Sequence, residues 1–173
     1  MNSEVLFTAL VLAVALERTA ELAVSHRNAR WSLARGGVES GRGHYPFMVV
    51  LHAGLLAGAL TEVWVRRPAA PAPVLAATML VLLAAAQALR WWCIATLGRQ
   101  WNTRVIVVPG FPRVTGGPYR LVPHPNYVAV VLEGFALPLA HSAWTTAVVF
   151  TLLNACLLAT RVRAEDAALA RLA

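Results

Sequence analysis

Charge is scarce in this sequence, and lysine is absent. Only 13% of the 173 residues are charged, and all 15 basic residues are arginines, whereas 58% of the residues are hydrophobic. Soluble domains carry about 25% charged residues, so this shortage excludes an ordinary soluble domain. It also excludes the soluble basic surface that a nucleic-acid-binding protein needs. The composition therefore predicts one integral membrane domain covering residues 1–173.

Cysteine is scarce as well, because the chain has only Cys93 and Cys156, each inside an apolar stretch without a ligand pattern around it. We therefore expect neither a disulfide nor a metal site, and interpret both residues as small buried hydrophobic side chains. The segment Met1–Glu4 lacks the basic residues that open a secretory signal, so no cleaved signal peptide is expected.

Apolar stretches are abundant, and several approach the about 20 residues that a helix needs to cross a bilayer. The five stretches are residues 5–24, 46–65, 72–97, 126–140 and 143–161. Only His141 and Ser142 separate the last two stretches, which predicts a tight helical hairpin whose shorter first arm is the weaker candidate for a full crossing. The predicted fold is an all-α membrane bundle of about five transmembrane helices.

The arginines are distributed unevenly over the connections between these stretches. The first and third connections carry four each and the C-terminal segment three, whereas the second connection carries only Arg66 and Arg67. Because arginine-rich connections stay on the cytoplasmic side of a membrane, the first and third connections and the C-terminus are predicted to be cytoplasmic. The N-terminus is then outside.

The third connection, residues 98–123, is long enough to suggest a function, since connections of more than about 12–15 residues are usually functional or disordered. It contains a β-like run, Val105–Val108, followed by glycines and prolines that favour turns. We predict that this connection folds back over the helix ends. A loop that lies at the membrane interface and binds nothing is the alternative.

The segment His124-Pro125-Asn126-Tyr127 opens the fourth apolar stretch. Proline suits the first position of a helix, and the free amides there form the partly positive end that attracts a carboxylate. The segment therefore predicts a ligand site, although a plain helix start without a ligand remains equally open.

Arg161 and Glu165 lie four residues apart near the end of the fifth stretch, so they share one face of a helix. Arginine can hold an anion through a fork of donors, and a carboxylate can accept from an ammonium group or a ribose hydroxyl. A solvated surface ion pair is the alternative interpretation.

Several polar residues lie inside the apolar stretches, where each charge costs roughly 2.5–3.5 kcal/mol at the centre of the membrane. They are Glu17, Arg18, Glu21, His52, Glu62, Arg90 and Glu133. A structural polar network and a reaction site remain equally open as explanations.

The combination of these motifs resembles the isoprenylcysteine carboxyl methyltransferase superfamily, small membrane enzymes that use S-adenosylmethionine. The motifs are Gly117-Pro118-Tyr119-Arg120, His124-Pro125-Asn126-Tyr127, Glu133, Arg161 and Glu165. Four N-terminal motifs resemble the bacterial branch that O-methylates alkylpyrones and alkylresorcinols made by type III polyketide synthases. They are Arg27-Asn28, Gly36-Gly37-Val38-Glu39, His44-Tyr45-Pro46 and His52.

This resemblance implies a cofactor pocket at the cytoplasmic face of the membrane, with Arg161 as the catalytic residue facing the acceptor. The implied cofactor-binding residues are Phe111, Pro112, Arg113, Val114, Tyr119, His124, Pro125, Asn126, Tyr127 and Glu165. His52 and His44 are candidates on the acceptor side. Pro123 stands where the family usually has arginine, and Arg120 is the candidate substitute.

The expected function is therefore S-adenosylmethionine-dependent O-methylation of a hydrophobic, lipid-like acceptor in a bacterial cytoplasmic membrane, with an alkylpyrone or alkylresorcinol as the first choice. The reaction needs no metal ion, because the protein has only to align donor and oxygen and exclude water. Methylation of a prenylated cysteine carboxylate or a phospholipid amine is the first alternative. A non-catalytic transporter subunit or sensor is the second.

Overall fold

The computed structural model describes residues 3–172 and contains five long helices. They are α1 (Ser3–Leu33), α2 (Tyr45–Arg66), α3 (Pro73–Leu97), α4 (Pro125–Leu139) and α5 (Trp144–Leu172). Each predicted apolar stretch corresponds to one of these five helices, apart from single residues at the ends of three stretches. The number of helices that cross the membrane stays a prediction. Both α1 and α5 extend well beyond the predicted stretches, because the polar sequence that follows each apolar stretch continues the same helix.

Within residues 3–172, three helices are long and apolar enough to cross a membrane. The protein is therefore an integral membrane protein. These helices are α2, α3 and α5. Helix α4 has only 15 residues, and α1 carries Glu17, Arg18 and Glu21 in its central part. The membrane crossing of α1 and α4 stays a prediction.

A small antiparallel sheet joins the first and third connections. Strand β1 (Val38–Ser40) pairs with β2 (Val105–Val107), and Val38 lies opposite Val107. The predicted β-like run is thus a strand, but its partner was not predicted, and the bundle is mainly rather than entirely helical. The pairing holds the third connection against the helix ends, as we expected.

Four of the charged residues within the helices form one buried cluster, which consists of Arg18, Glu21, Arg90 and Glu133. Arg18 donates to Glu21 at 2.8 Å and lies 3.1 Å from Glu133, while Arg90 donates to Glu133 at 2.5 Å. The cluster joins α1, α3 and α4, and each acidic side chain faces at least one guanidinium group. For these four residues, the structure shows the polar network that the sequence left open.

Glu62 has a different structural role at the start of α5. Its carboxylate accepts hydrogen bonds from the backbone N–H of Thr145 at 3.0 Å and of Thr146 at 2.8 Å. A carboxylate in this position pairs with free amides at the positive end of a helix. Glu62 therefore caps the hairpin of α4 and α5 from the neighbouring helix α2.

Helices α4 and α5 approach each other closely at Gly134. A Cβ atom at this position would lie 2.0 Å from Cε1 of Phe150, so only glycine fits without a rearrangement.

Cys93 is buried as expected, but the prediction for Cys156 was wrong because its side chain is exposed on α5. A hydrophobic residue on the outer face of a membrane helix needs no burial inside the protein, since lipid covers it.

Residues 98–103 form a short segment that we call the wall segment, and α1 holds it in place. The Nδ2 of Asn28 donates to the backbone oxygens of Gly98 at 3.0 Å and Trp101 at 2.8 Å. The backbone N–H of Thr103 donates to Ser25 Oγ at 2.9 Å. These bonds satisfy irregular backbone that would otherwise lack partners. The wall segment is therefore fixed relative to α1.

Candidate active site

The third connection, the start of α4 and the end of α5 enclose a cleft of about 930 Å³, which we call the loop cleft. This volume includes space that is open to solvent. Nine of the ten predicted cofactor-binding residues line it: Phe111, Pro112, Arg113, Val114, Tyr119, His124, Asn126, Tyr127 and Glu165. Pro125 does not line the cleft, because it is buried as the first residue of α4.

Further lining residues come from the wall segment, from β2 and from the last turns of α5, and the sequence interpretation missed them. They include Gln100, Trp101, Asn102, Arg104, Ile106 and Leu169. Trp101 lies in the polar stretch of residues 98–104 that precedes the β-like run. A single large aromatic residue among polar ones was the available signal.

Arg161 and Glu165 do not form a direct ion pair, although they lie on one helix face as predicted. The hydroxyl of Tyr127 stands between them: it accepts from Arg161 Nε at 2.9 Å and donates to Glu165 Oε2. Tyr127 belongs to α4, so this chain of hydrogen bonds ties the start of α4 to the end of α5. The arrangement fixes both charged groups relative to the loop cleft.

His124 approaches the same carboxylate from the other side. Its Nδ1 lies 3.6 Å from Glu165 Oε1, its Nε2 lies 3.1 Å from Asp166 Oδ1, and its ring stacks on Tyr127 with centroids 5.4 Å apart. The adjacent Glu165 carboxylate is the main cause that raises the pKa of His124 above its ordinary value, against the opposing effect of burial. His124 therefore favours its protonated form beside the two carboxylates.

Tyr119 closes the loop cleft near α3. Burial raises the pKa of Tyr119 above its ordinary value, and the nearby Cys93 thiol and Glu165 carboxylate act in the same direction. The phenol therefore stays neutral near pH 7, where it can donate or accept a hydrogen bond. Its 3-10 turn begins at Gly117 with φ of 54°, a left-handed conformation that suits glycine.

Three buried polar atoms on residues that line the loop cleft have no hydrogen-bond partner within residues 3–172. They are Nε1 of Trp101, Oδ1 of Asn102 and Oδ1 of Asn126. Buried polar groups in proteins are nearly always paired, so each of these atoms calls for an explanation. One donor and two acceptors around a single cleft fit a ligand that itself carries donors and acceptors.

A second cleft of about 1,050 Å³, which we call the helix cleft, lies between α1, α2, α4 and α5. Its lining is mainly apolar and includes Leu22, Val49, Leu56, Val130 and Leu157. Four residues line both clefts: Trp101, Asn126, Tyr127 and Arg161. The two clefts therefore meet at the start of α4 and share one boundary.

Arg161 occupies that boundary, with only 5% of its surface exposed. Besides Tyr127, its guanidinium contacts Met48 Sδ at 3.0 Å on α2 and the backbone oxygen of Thr103 at 2.5 Å in the wall segment. Three elements thus fix the orientation of the group. Since a guanidinium has five N–H donors and these contacts use one each, two donors remain for a ligand.

The remaining predicted residues differ in whether they line a cleft. His52 lines the helix cleft, whereas His44 lines neither cleft and ends a short 3-10 turn before α2. The predicted acceptor role of both residues stays a prediction. Arg120 is exposed and does not line the loop cleft, so its expected role as a substitute for the family arginine has no support. Arg104 and Arg113 line that cleft instead, as does Pro123.

The profile of the isoprenylcysteine carboxyl methyltransferase (ICMT) family matches residues 78–171, more than half of the chain. The chain belongs to this family. Every residue that lines the loop cleft falls inside the matched segment, whereas nine residues of the helix cleft, from Arg18 to Leu56, precede it. The ICMT family is a family of membrane methyltransferases, which agrees with the apolar helices described above.

The ICMT-family chain is also similar to the uncharacterized protein YpbQ of Bacillus subtilis (strain 168). The two sequences are 36% identical over 166 residues, which cover 95% of this chain and 96% of YpbQ. No solved structure matches the chain significantly. Among the residues that the structure describes, no group of three or more His, Cys, Asp or Glu side chains is placed to hold a metal ion.

Proposed function

We propose that this ICMT-family protein transfers a methyl group from S-adenosylmethionine to an oxygen of a lipid-like acceptor, and that the acceptor is an alkylpyrone or alkylresorcinol. The observation that carries the proposal is the meeting of a polar cleft and an apolar cleft at Asn126, Tyr127 and Arg161. Methyl transfer from a soluble cofactor to a lipid needs such a pair of sites with the reacting atoms at their junction.

The loop cleft fits S-adenosylmethionine by its chemistry. The unpartnered Nε1 of Trp101 and the Oδ1 atoms of Asn102 and Asn126 would hold the polar groups of the cofactor. The carboxylate of Glu165, held by Tyr127 and His124, would accept from an ammonium group or a ribose hydroxyl. When bound, the cofactor supplies a methyl group on a sulfonium: the acceptor oxygen forms a bond to that carbon, and the C–S electron pair stays on sulfur.

The helix cleft fits the acceptor. Its apolar lining would hold an alkyl tail that enters between the helices from the bilayer, because such a chain gains by leaving water but needs no polar partner. Arg161 would favour the deprotonated, anionic form of the acceptor oxygen before it attacks and would orient that oxygen with its two remaining donors. An enolic hydroxyl of a pyrone is anionic more readily than a phenol, whose ordinary pKa is about 10.

The orientation in the membrane follows from the arginine distribution and is part of the proposal. The loop cleft is formed by the third connection and the end of α5, both arginine-rich, and would face the cytoplasm of a bacterium, where the cofactor is made. A reporter fused after Ala173 is expected to be cytoplasmic, and one inserted within residues 67–72 is expected outside. The opposite result would contradict this orientation.

The test of the proposed function is methyl transfer by the purified protein in detergent, with S-adenosylmethionine labelled in its methyl group. The acceptors are an alkylresorcinol, an alkylpyrone, a prenylated cysteine and phosphatidylethanolamine. We expect labelled methyl ether from one of the first two lipids. Transfer to the cysteine carboxylate or the amine would replace the proposed acceptor. Absence of transfer to all four, with no binding of the cofactor, would favour a non-catalytic transporter subunit or sensor.

A further inference from the structure

The helix cleft is polar at one place that the proposed function does not use. His52 of α2 lines it together with Arg18 and Glu21 of α1 and Arg90 of α3. The rest of the lining consists mainly of aliphatic side chains, apart from the boundary that the two clefts share. An alkyl tail has no use for these four residues, so their presence in an acceptor site needs an explanation.

The hydrogen bonding of His52 defines what its ring can offer. Its Nδ1 lies 2.8 Å from the backbone oxygen of Met48, and a carbonyl oxygen can only accept. Nδ1 therefore carries the hydrogen of the neutral ring, and Nε2 is left with a free lone pair. Within residues 3–172, Nδ1 is the only ring nitrogen of His52 with a hydrogen-bond partner. The ring thus offers an acceptor and is held at a right angle to Phe150.

The neighbouring charged cluster is not closed on itself. Three of its buried atoms have no hydrogen-bond partner within the described residues: Nε of Arg18, Oε1 of Glu21 and Nε of Arg90. Arg90 Nε and Glu21 Oε1 face each other at 3.5 Å, too far for a good hydrogen bond. Because Arg18, Glu21 and Arg90 line the helix cleft, this part of it is charged although it lies among apolar helices.

His52 also lies at a defined depth relative to the reacting end of the cleft. Met48 contacts Arg161 at the boundary of the two clefts, and His52 follows Met48 by four residues on the same face of α2. His52 therefore lies about 6 Å further along the helix axis than Met48. A ring with two hydroxyl groups in a 1,3 relationship could extend from Arg161 to this depth.

We propose that His52, supported by the cluster of Arg18, Glu21 and Arg90, is a second polar subsite that binds a further hydroxyl group of the acceptor. The methylated oxygen lies at Arg161, and the second hydroxyl donates to His52 Nε2. Because the free nitrogen is an acceptor, the subsite selects a hydroxyl over a carbonyl or an ether oxygen. This inference rests on the proposed function and narrows its acceptor to a 1,3-dihydroxyaryl lipid.

The test compares two acceptors that differ in one group: a 5-alkylresorcinol and the 3-alkylphenol of the same chain length. We expect the wild-type protein to favour the resorcinol by at least about tenfold in kcat/KM, the discrimination typical of a site built around a hydroxyl. His52→Leu removes the acceptor nitrogen and should bring the ratio close to one, mainly by slowing the resorcinol. His52→Gln keeps a polar acceptor near the position of Nε2 and should retain part of the preference.

His26→Leu is the matched control, because His26 is exposed on α1 and lines neither cleft. It should leave the ratio unchanged, and a thermal-unfolding curve for each variant shows whether it is folded. A wild-type ratio near one, or an unchanged preference in both His52 variants, would overturn the second subsite while leaving the methyltransferase proposal intact. If His52→Leu does not fold, the ratio for His52→Gln decides. Absence of transfer to every lipid by the wild type would instead overturn the proposed function, on which the subsite depends.

Discussion

The two clefts differ in chemistry and in the part of the chain that forms them. The loop cleft is rich in polar groups and is lined only by residues between Leu97 and Leu169, whereas the helix cleft is mostly apolar and takes half of its lining from α1 and α2. The ICMT profile covers the whole lining of the loop cleft but omits the residues of α1 and α2 that line the helix cleft. The matched segment therefore carries what the family shares, and under the proposed function we expect the N-terminal helices to adapt the helix cleft to its acceptor.

Loss of the Glu165 carboxylate should have the largest effect on function. This change affects the loop cleft alone. Glu165→Gln keeps the shape but removes the charge that His124 and Tyr127 hold in place. We expect binding of S-adenosylmethionine to weaken by about 10- to 100-fold, since a lost hydrogen bond to a charged group is worth roughly 1.5–3 kcal/mol. Isothermal titration in detergent measures the affinity.

Asp166→Asn is the control for this variant, because Asp166 neighbours Glu165 but does not line the cleft. It should change the affinity by no more than a few-fold. Unchanged affinity in Glu165→Gln would mean that the loop cleft does not bind the cofactor through this carboxylate. A monodisperse elution profile of the variant in detergent separates loss of binding from loss of fold.

Substitution of Arg161 should affect the junction between the clefts rather than either cleft alone. Arg161→Lys keeps the charge but cannot reach Tyr127, Met48 and Thr103 together while presenting donors to an acceptor. We expect turnover to fall by at least about tenfold, or about 1.4 kcal/mol of barrier, with cofactor affinity nearly unchanged. Single-turnover kinetics with saturating cofactor would measure this.

The exposed Arg163 provides the matched control, and Arg163→Lys should retain full turnover. If Arg161→Lys keeps its turnover and loses cofactor affinity instead, Arg161 belongs functionally to the loop cleft. If neither quantity changes, Arg161 only joins α5 to its neighbours, and the acceptor oxygen is held elsewhere.

The smallest expected effect concerns pH and the stability of the loop cleft. The pKa of His124 is raised in the folded protein, chiefly by Glu165. The stabilisation from protonated His124 is therefore complete below the unfolded pKa of about 6.5 and is lost as pH rises through the higher folded value. Between pH 6 and pH 9, we expect the Tm of the wild type to fall by about 2 °C more than the Tm of His124→Gln.

Thermal unfolding in detergent at several pH values measures this difference, and His26→Gln serves as the control because His26 is exposed on α1. The control should follow the wild type at every pH. If the Tm of the wild type instead rises relative to the Tm of His124→Gln as the pH rises, that result would contradict the assigned direction of the pKa shift.

The sequence predicts the helices well, because long apolar stretches have few alternatives in a membrane. It does not predict where α1 and α5 end, since hydropathy reports the extent of the apolar stretch rather than the extent of the helix. Strand β1 could not be predicted from Val38–Ser40, because three residues become a strand only when β2 lies beside them. The pairing depends on tertiary structure.

Nine of the ten residues that the family resemblance implied for the cofactor pocket line the loop cleft. The position of Tyr127 between Arg161 and Glu165 was not predictable, because helical spacing predicts which residues share a face but not what another helix places between them. The pairing within the charged cluster could not be predicted either, because Arg90 and Glu133 are 43 residues apart in the chain.

The anchoring of the wall segment by α1 has a consequence for biogenesis. Helix α1 is synthesised first, yet Arg18 finds Gln87 only 69 residues later, and Asn28 finds Gly98 and Trp101 after 70 and 73 residues. If α1 crosses the bilayer as predicted, a nascent chain that stops before α3 offers the charged residues of α1 partners only from α1 itself. We therefore expect α1 to become stable in the bilayer only once α3 and the wall segment have been made.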